Sequence, residues 1–214
     1  MKKTIASLVA ALVTMGCAAQ DIALPKVDMN EKSASVVETL AKRHSVREYS
    51  SKPLSLQQLS NLCWAACGVS RDAQHRTAPT AMNRKEIRLF VFTAEGAYEY
   101  LAADNMLKLV AKGDNRALLA GGAGFKQNFV LQAPVTLLMV LDFDLFRQND
   151  EHARTMGCVD VGNVSENINL YCQSVGLCTV PRAMMDTEAI GKLLGLNANQ
   201  VPVLNNPVGF PKEK

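Results

Sequence analysis

The stretch "APVTLLMVLDF" at residues 133–143 is the strongest constraint in the chain, because Leu137 to Leu141 are apolar without a break. A strand with one wet face alternates apolar and polar side chains, whereas a strand apolar throughout must be covered on both faces. The chain therefore has to build a sheet with packed elements on either side of it. "IRLFVFTAEGAYEYL" reads as two more strands around a turn containing Glu95 and Gly96, and "VPVLNNPVGFP" closes the chain with another. "CTVPRAM" is a short strand or a loop.

Helices supply the cover. Val36, Val37, Leu40 and Ala41 recur at helical spacing, with Glu38 and Lys42 one turn apart and able to pair. Ser55 followed by Gln58 is a capping box. It opens a helix whose stripe is Leu56, Leu59, Leu62, Cys63 and Ala66, and Gly68 stops it. "DVGNVSENINLYCQSVGL" is a helix ending near Gly176, and Asp186 caps "TEAIGKLLGL". Helices and strands mix without strict alternation, which predicts an α+β domain around one sheet. Glycine-rich "AGGAGF" (120–125) follows no clear strand and reads as loop, and neither a Walker nor a GxGxxG pattern occurs.

At the N-terminus, Lys2 and Lys3 precede an apolar run, Ile5 to Met15, too short for a stable membrane anchor. With the small residues that follow, residues 1–19 read as a signal peptide, residues 20–31 as a polar, irregular tether and residues 32–214 as one domain. Cleavage after Ala19 gives a soluble exported protein of the periplasm or cell envelope. Cleavage before Cys17 gives a lipoprotein, although Thr14 stands where such signals usually carry Leu. Membrane attachment belongs only to the second case. Losing Lys2 and Lys3 lowers the net charge from +3 to about +1, which argues against nucleic acid or an anionic membrane as partner.

The five remaining cysteines (Cys63, Cys67, Cys158, Cys172 and Cys178) show neither CxxC pairs nor His-rich spacing, which argues against zinc and for buried thiols. Cys63 and Cys67, one helical turn apart, suit a disulfide poorly, and a single bridge elsewhere stays open in an oxidising compartment. No Ser-His-Asp or HExxH arrangement is present. Asp160 and Glu166 read as ordinary helix charges, and His75 and His152 as surface residues. The densest chemistry lies in "RHSVREY", where Arg43, His44, Ser45 and Arg47 follow the end of a helix. Two guanidiniums turned to one point match a phosphate dianion, and Ser45 adds a neutral donor. The same spacing also suits a solvated helix end, where cations favour the dipole.

Taken in order, "RHSVREY", "LCWAACGVS", "RTAPTAMNRKEIRLFVF", "FVLQAPVTLLMV", "DVGNVSENINLYCQSVGLCTVPRAM" and "PVGFPK" resemble the FMN-dependent nitroreductase superfamily. Within it the resemblance is to the short exported members near the SagB-like azoline oxidases, and it runs from Val36 to Lys212. The resemblance implies a nitroreductase-like α+β fold: a central, mainly antiparallel sheet flanked by helices in an intertwined homodimer. It implies FMN as cofactor, with Arg43, Ser45 and Arg47 on the phosphate and ribityl chain and a backbone contact from His44. Pro79, Thr80, Ala81 and Asn83 match a loop that lines the flavin ring from the other subunit. Gln127 matches a polar contact, and Pro181, Arg182, Ala183 and Met184 match a segment whose N–H groups face flavin N5. Many members have Glu-Gly where this chain has Ala183-Met184, so what stacks above the ring is expected to differ. Lys212 and Lys214 match basic residues that reach the phosphate. Segments 104–124 and 144–156 match the variable substrate loops.

The implied activity is two-electron, ping-pong transfer through the flavin from a small-molecule donor to a nitro, quinone or similar acceptor. No side chain is expected as nucleophile or general base, since the cofactor carries the chemistry. The usual NAD(P)H donor is not expected outside the cytoplasm, which leaves two other readings. One is an FMN dehydrogenase or oxidase of a small molecule or peptide. The other is a non-catalytic flavin-binding envelope protein.

Overall fold

A computed structural model describes residues 20–122, 124–146 and 149–212. Residues 1–19 and Lys214, and with them the signal peptide, Cys17 and the cleavage readings, lie outside the described residues.

The sheet is built on the segment that constrained it most. Strand β5 (Val135–Asp142) is buried at every position. It lies between β2 (Ile87–Phe92) and β7 (Gln200–Gly209) in a seven-stranded sheet of order β1-β4-β3-β2-β5-β7-β6. The other members are β1 (Ile22–Ala23), β3 (Gly96–Leu101), β4 (Met106–Lys112) and β6 (Cys178–Thr179), and every pairing is antiparallel.

Alternation along β5 feeds two cores. Leu137, Met139 and Leu141 join one apolar cluster with Leu89 and Val91, while Leu138 and Val140 join another with Phe90 and Phe92. Helices α2 (Leu56–Cys67) and α5 (Glu151–Ser174) cover the first face, and α3 (Ala117–Ala120) and α6 (Thr187–Leu194) the second. Short helices α1 (Val36–Lys42) and α4 (Phe143–Phe146) complete the fold. The expected caps form: Ser55 and Gln58 close a capping box, Asp186 accepts from the Ala189 N–H at 3.0 Å, and Lys42 pairs with Glu38 at 2.7 Å.

Helix α5 lies so close to the sheet that Gly157 has no room for a side chain. A Cβ there would overlap both methyls of Leu141, standing 2.6 Å from Cδ1. Leu141 is 1% exposed and cannot swing away. Gly157→Val is expected to destabilise the fold by about 1–3 kcal/mol, measurable by urea unfolding, because overpacking a dense core forces backbone shifts.

Three segments depart from expectation. Residues 20–31 are not a free tether. Ile22 and Ala23 pair with Leu107 and Met106, Leu24 is buried, Asp28 N–H donates to Asn61, and Glu31 accepts from the Tyr171 hydroxyl at 2.8 Å. Segment 104–124, expected as a loop, contains β4 and α3; within 144–156, also expected as a loop, α4 runs to Phe146 and α5 begins at Glu151. The apolar stripe of α1 is not buried within the chain: Val36, Val37 and Leu40 are 71%, 78% and 57% exposed.

Candidate functional site

The segment after α1 is fastened on both sides. Val46 N–H donates to the Thr179 carbonyl of β6 at 3.1 Å, and Tyr49 bridges to Pro211 beyond β7. The Tyr49 hydroxyl donates to the carbonyls of Val46 (2.9 Å) and Pro207 (3.2 Å). Burial holds this phenol well above its ordinary range, so it stays a neutral donor. Tyr49→Phe is expected to cost about 1 kcal/mol and to quicken amide exchange across residues 46–50, which hydrogen-exchange mass spectrometry would read.

Held this way, Arg43, His44, Ser45 and Arg47 line one side of a cleft of about 450 Å³, and Lys212 closes it from the C-terminal end. The last turns of α5 and β6 form the opposite wall with Asn169, Cys172, Gln173 and Thr179. Glu48 also borders the cleft, yet neither Arg43, Arg47 nor Lys212 takes part in an ion pair among the described residues. Beneath it lies a buried polar network. Ser165 Oγ donates to Asn206 Oδ1 at 2.9 Å, and Asn206 Nδ2 donates to Asn169 Oδ1 (3.2 Å) and Thr179 Oγ1 (3.3 Å). Glu166 is not simply a solvated charge, because it accepts from Asn169 Nδ2 at 2.8 Å. Asn169 and Gln173 escaped the sequence reading, although their four-residue spacing on "NINLYCQ" places them on one helix face.

A second group forms around Arg182, which is 6% exposed. Its Nε donates to Gln127 Oε1 at 2.6 Å, and Nη1 donates to the Leu119 carbonyl and Asn205 Oδ1, both at 2.7 Å. Nη2 donates to the Ala120 carbonyl at 3.2 Å, and the guanidinium lies over the Phe129 ring. Burial works against this charge, and the ring of carbonyl oxygens offsets it without a carboxylate. Not all of segment 181–184 keeps the role expected of it. Pro181 has no N–H, and the Arg182 N–H donates to the Asn205 carbonyl at 2.9 Å. Ala183 and Met184 are exposed, and their N–H groups bond no acceptor among the described residues. Phe129 packs against the cluster of Tyr49, Ala133 and Cys178 as well, so it joins this group to the cationic cleft.

The third group stands apart. Pro79, Thr80, Ala81 and Asn83 sit on a loop held by Asp160, whose carboxylate accepts from the Ala81 N–H at 2.6 Å. Asp160 and Asn169 both belong to α5, nine residues and about 13 Å apart along the axis. Within one chain this loop and the cationic cleft are thus separated. Asp160 was expected to be an ordinary helix charge and is 5% exposed. Its spacing from Gly157 and Val164 on the buried stripe was the available signal. Among the described residues four cysteines are buried, and burial pushes the Cys67 thiol up to about 12 and Cys178 to about 11; Cys158 is exposed. No cluster of metal-ligating side chains occurs among the described residues.

Comparison with known proteins shows the family and the fold. The profile of the Nitroreductase family matches residues 40–210. A protein of Methanocaldococcus jannaschii, provisionally named a nitroreductase, is 29% identical over 196 residues, covering 88% of this chain and 96% of its own. A crystal structure from Ralstonia eutropha JMP134, also provisionally called a nitroreductase, is 31% identical and superposes with a TM-score of 0.84 over 93% of both chains. Nitroreductase A of Vibrio parahaemolyticus, 20% identical, shares the fold at a TM-score of 0.65 over 85% of this chain and 70% of its own. The chain belongs to the nitroreductase family of oxidoreductases.

Proposed function

We propose that the chain is an FMN-dependent oxidoreductase acting as a homodimer, with each flavin site built from both subunits. The cleft carries this reading: Arg43, Arg47 and Lys212 stand on one mouth without carboxylate partners among the described residues. Uncompensated cations of that kind fit a phosphate dianion, which guanidinium forks bind with directional, charge-assisted hydrogen bonds. Ser45 adds a hydroxyl donor. The N–H groups of Ala183 and Met184, which bond no acceptor among the described residues and follow the Gln127-bonded Arg182, offer neutral donors where a flavin ring would lie. When bound, FMN supplies two-electron transfer through N5, in ping-pong order, from a donor to a nitro, quinone or related acceptor.

The dimer rests on two features. The exposed Val36, Val37 and Leu40 form an apolar face that a second copy would cover. The separation of the Pro79–Asn83 loop from its own chain's cleft favours a second subunit as the one that lines the ring with it. The signal-peptide reading places the protein outside the cytoplasm, where a reductant other than NAD(P)H is expected.

The test is anaerobic titration of FMN-loaded protein with pyridine nucleotides, quinols, thiols and small organic donors. Bleaching of the flavin by one of them, and its return on adding a nitroaromatic or a quinone, is the expected result. A bound flavin that no donor reduces would point instead to a non-catalytic binder.

A further inference from the structure

Two carboxyl groups meet beneath the Pro79–Asn83 loop. Glu86 is 0% exposed, and neither of its carboxyl oxygens receives a hydrogen bond. Asp160 faces it from α5 and accepts from the Ala81 N–H at 2.6 Å. We infer that Glu86 carries a proton in the folded protein, shares it with Asp160, and so acts as a positioning residue for the loop. The importance of this loop to the reaction rests on the flavin reading above; the carboxyl pair itself does not.

Two buried carboxylates without a cation repel each other and lose their hydration, so one must be neutral. Among the described residues neither carboxyl takes part in an ion pair, and Arg76, whose Nη1 is buried without a hydrogen bond, lines the neighbouring cavity with Thr80 and Lys85. Helix α5 contributes Asp160, and the loop contributes the Thr80 hydroxyl. Strand β5 contributes Asp142, whose N–H donates to the Glu86 carbonyl and whose carboxylate accepts from Gln200 Nε2 at 2.7 Å. In the chain beside Glu86, Arg84 forms no ion pair among the described residues and Lys85 Nζ donates to Gln74. Glu86 is the member that holds the proton, because the Ala81 N–H donates to Asp160 and nothing donates to the Glu86 carboxyl among the described residues. Burial first, and Asp160 second, push Glu86 up to about 8.

The loop needs such an anchor. Met82, Asn83 and Lys85 all have positive φ (53°, 53° and 58°), a region that residues other than glycine hold only when their surroundings fix it. The Ala81–Asp160 bond and the Lys85 N–H to Thr80 Oγ1 bond at 3.0 Å provide that fixing. Once Glu86 loses its proton, two buried negative charges face each other under the loop.

The direction of the pH effect follows from linkage. Glu86 titrates at 4.5 when hydrated in an opened loop and near 8 when closed over. The closed loop is therefore fully favoured below 4.5, loses up to about tenfold per pH unit between the two values, and levels off above 8.

Hydrogen-exchange mass spectrometry of the flavin-free protein, from about pH 5 to 9 and corrected for intrinsic exchange, tests this. Peptides spanning the loop should lose protection up to about pH 8 and then level off in the wild type. Glu86→Gln should abolish the slope, and Asp160→Asn should lower protection at every pH. The same slope in Glu86→Gln would overturn the inference, as would an equal slope in β2 and α5, which would mark global unfolding. If Glu86→Gln does not fold, infrared spectroscopy of the wild type decides. A protonated-carboxyl band at pH 7 that fades at alkaline pH supports the inference, and its absence overturns it. Because both readouts use flavin-free protein, they stand or fall separately from the cofactor assignment.

Discussion

Arg182→Met is expected to cost the folded chain about 3–5 kcal/mol, more than either Gly157→Val or Tyr49→Phe. The guanidinium satisfies four acceptors at once: Gln127 Oε1, Asn205 Oδ1 and the carbonyls of Leu119 and Ala120. Methionine fills much of the same volume and donates nothing, so the buried Leu119 carbonyl and Asn205 Oδ1 lose this donor, while the Ala120 carbonyl keeps the Gln127 N–H at 2.8 Å. Each buried, unsatisfied polar group costs about 1–3 kcal/mol, while removal of the buried charge returns some desolvation energy. For a domain of this size, a destabilisation of this magnitude lowers the melting temperature by about 6–20 °C. Circular dichroism melting would show it. Arg182→Lys, with a charge but no fork, should fall between the two. A methionine variant melting within about 2 °C of wild type would mean that these bonds hold nothing together.

The second large effect concerns the cleft. Arg43→Ala/Arg47→Ala removes two cations from its mouth while leaving the Tyr49 and Val46 fastenings in place. A hydrogen bond to a charged group contributes about 1.5–3 kcal/mol, so losing both arginines should weaken FMN about 10²–10⁴-fold. Raising the salt concentration should weaken the wild type in the same direction, by screening the exposed charges. Flavin fluorescence quenching measures both. The variant should melt close to wild type, since no ion pair among the described residues is broken. An unchanged affinity would make these residues a solvated helix end and nothing more.

Much of the fold is legible because its signals are local. The unbroken apolar run of β5, the capping box at Ser55 and Gln58, and the turn at Gly96 each declare an element within a few residues. Strand β4 is hidden because "MLKLVAK" puts Lys108 and Lys112 among apolar residues with no clean alternation. The docking of residues 20–31 is hidden because its partners, Asn61 and Tyr171, are remote in the sequence. The site divides in the same way. The crowding of Arg43, Ser45 and Arg47 is visible on sight, whereas Arg182 looks like one more loop arginine until its four acceptors converge. Glu86 and Asp160 are far apart in the chain and become a pair only when α5 crosses behind the loop. Sequence spacing reports neighbours along an element, and these are neighbours across elements.

The most direct test of flavin binding in the cleft is the absorption spectrum of purified wild-type protein after incubation with FMN and desalting. Flavin bands at close to one FMN per chain are expected, retained by a dimer and lost from the Arg43→Ala/Arg47→Ala variant. A well-folded wild-type protein that keeps no flavin would contradict the cofactor assignment. The family membership would then describe a fold whose cleft binds something else.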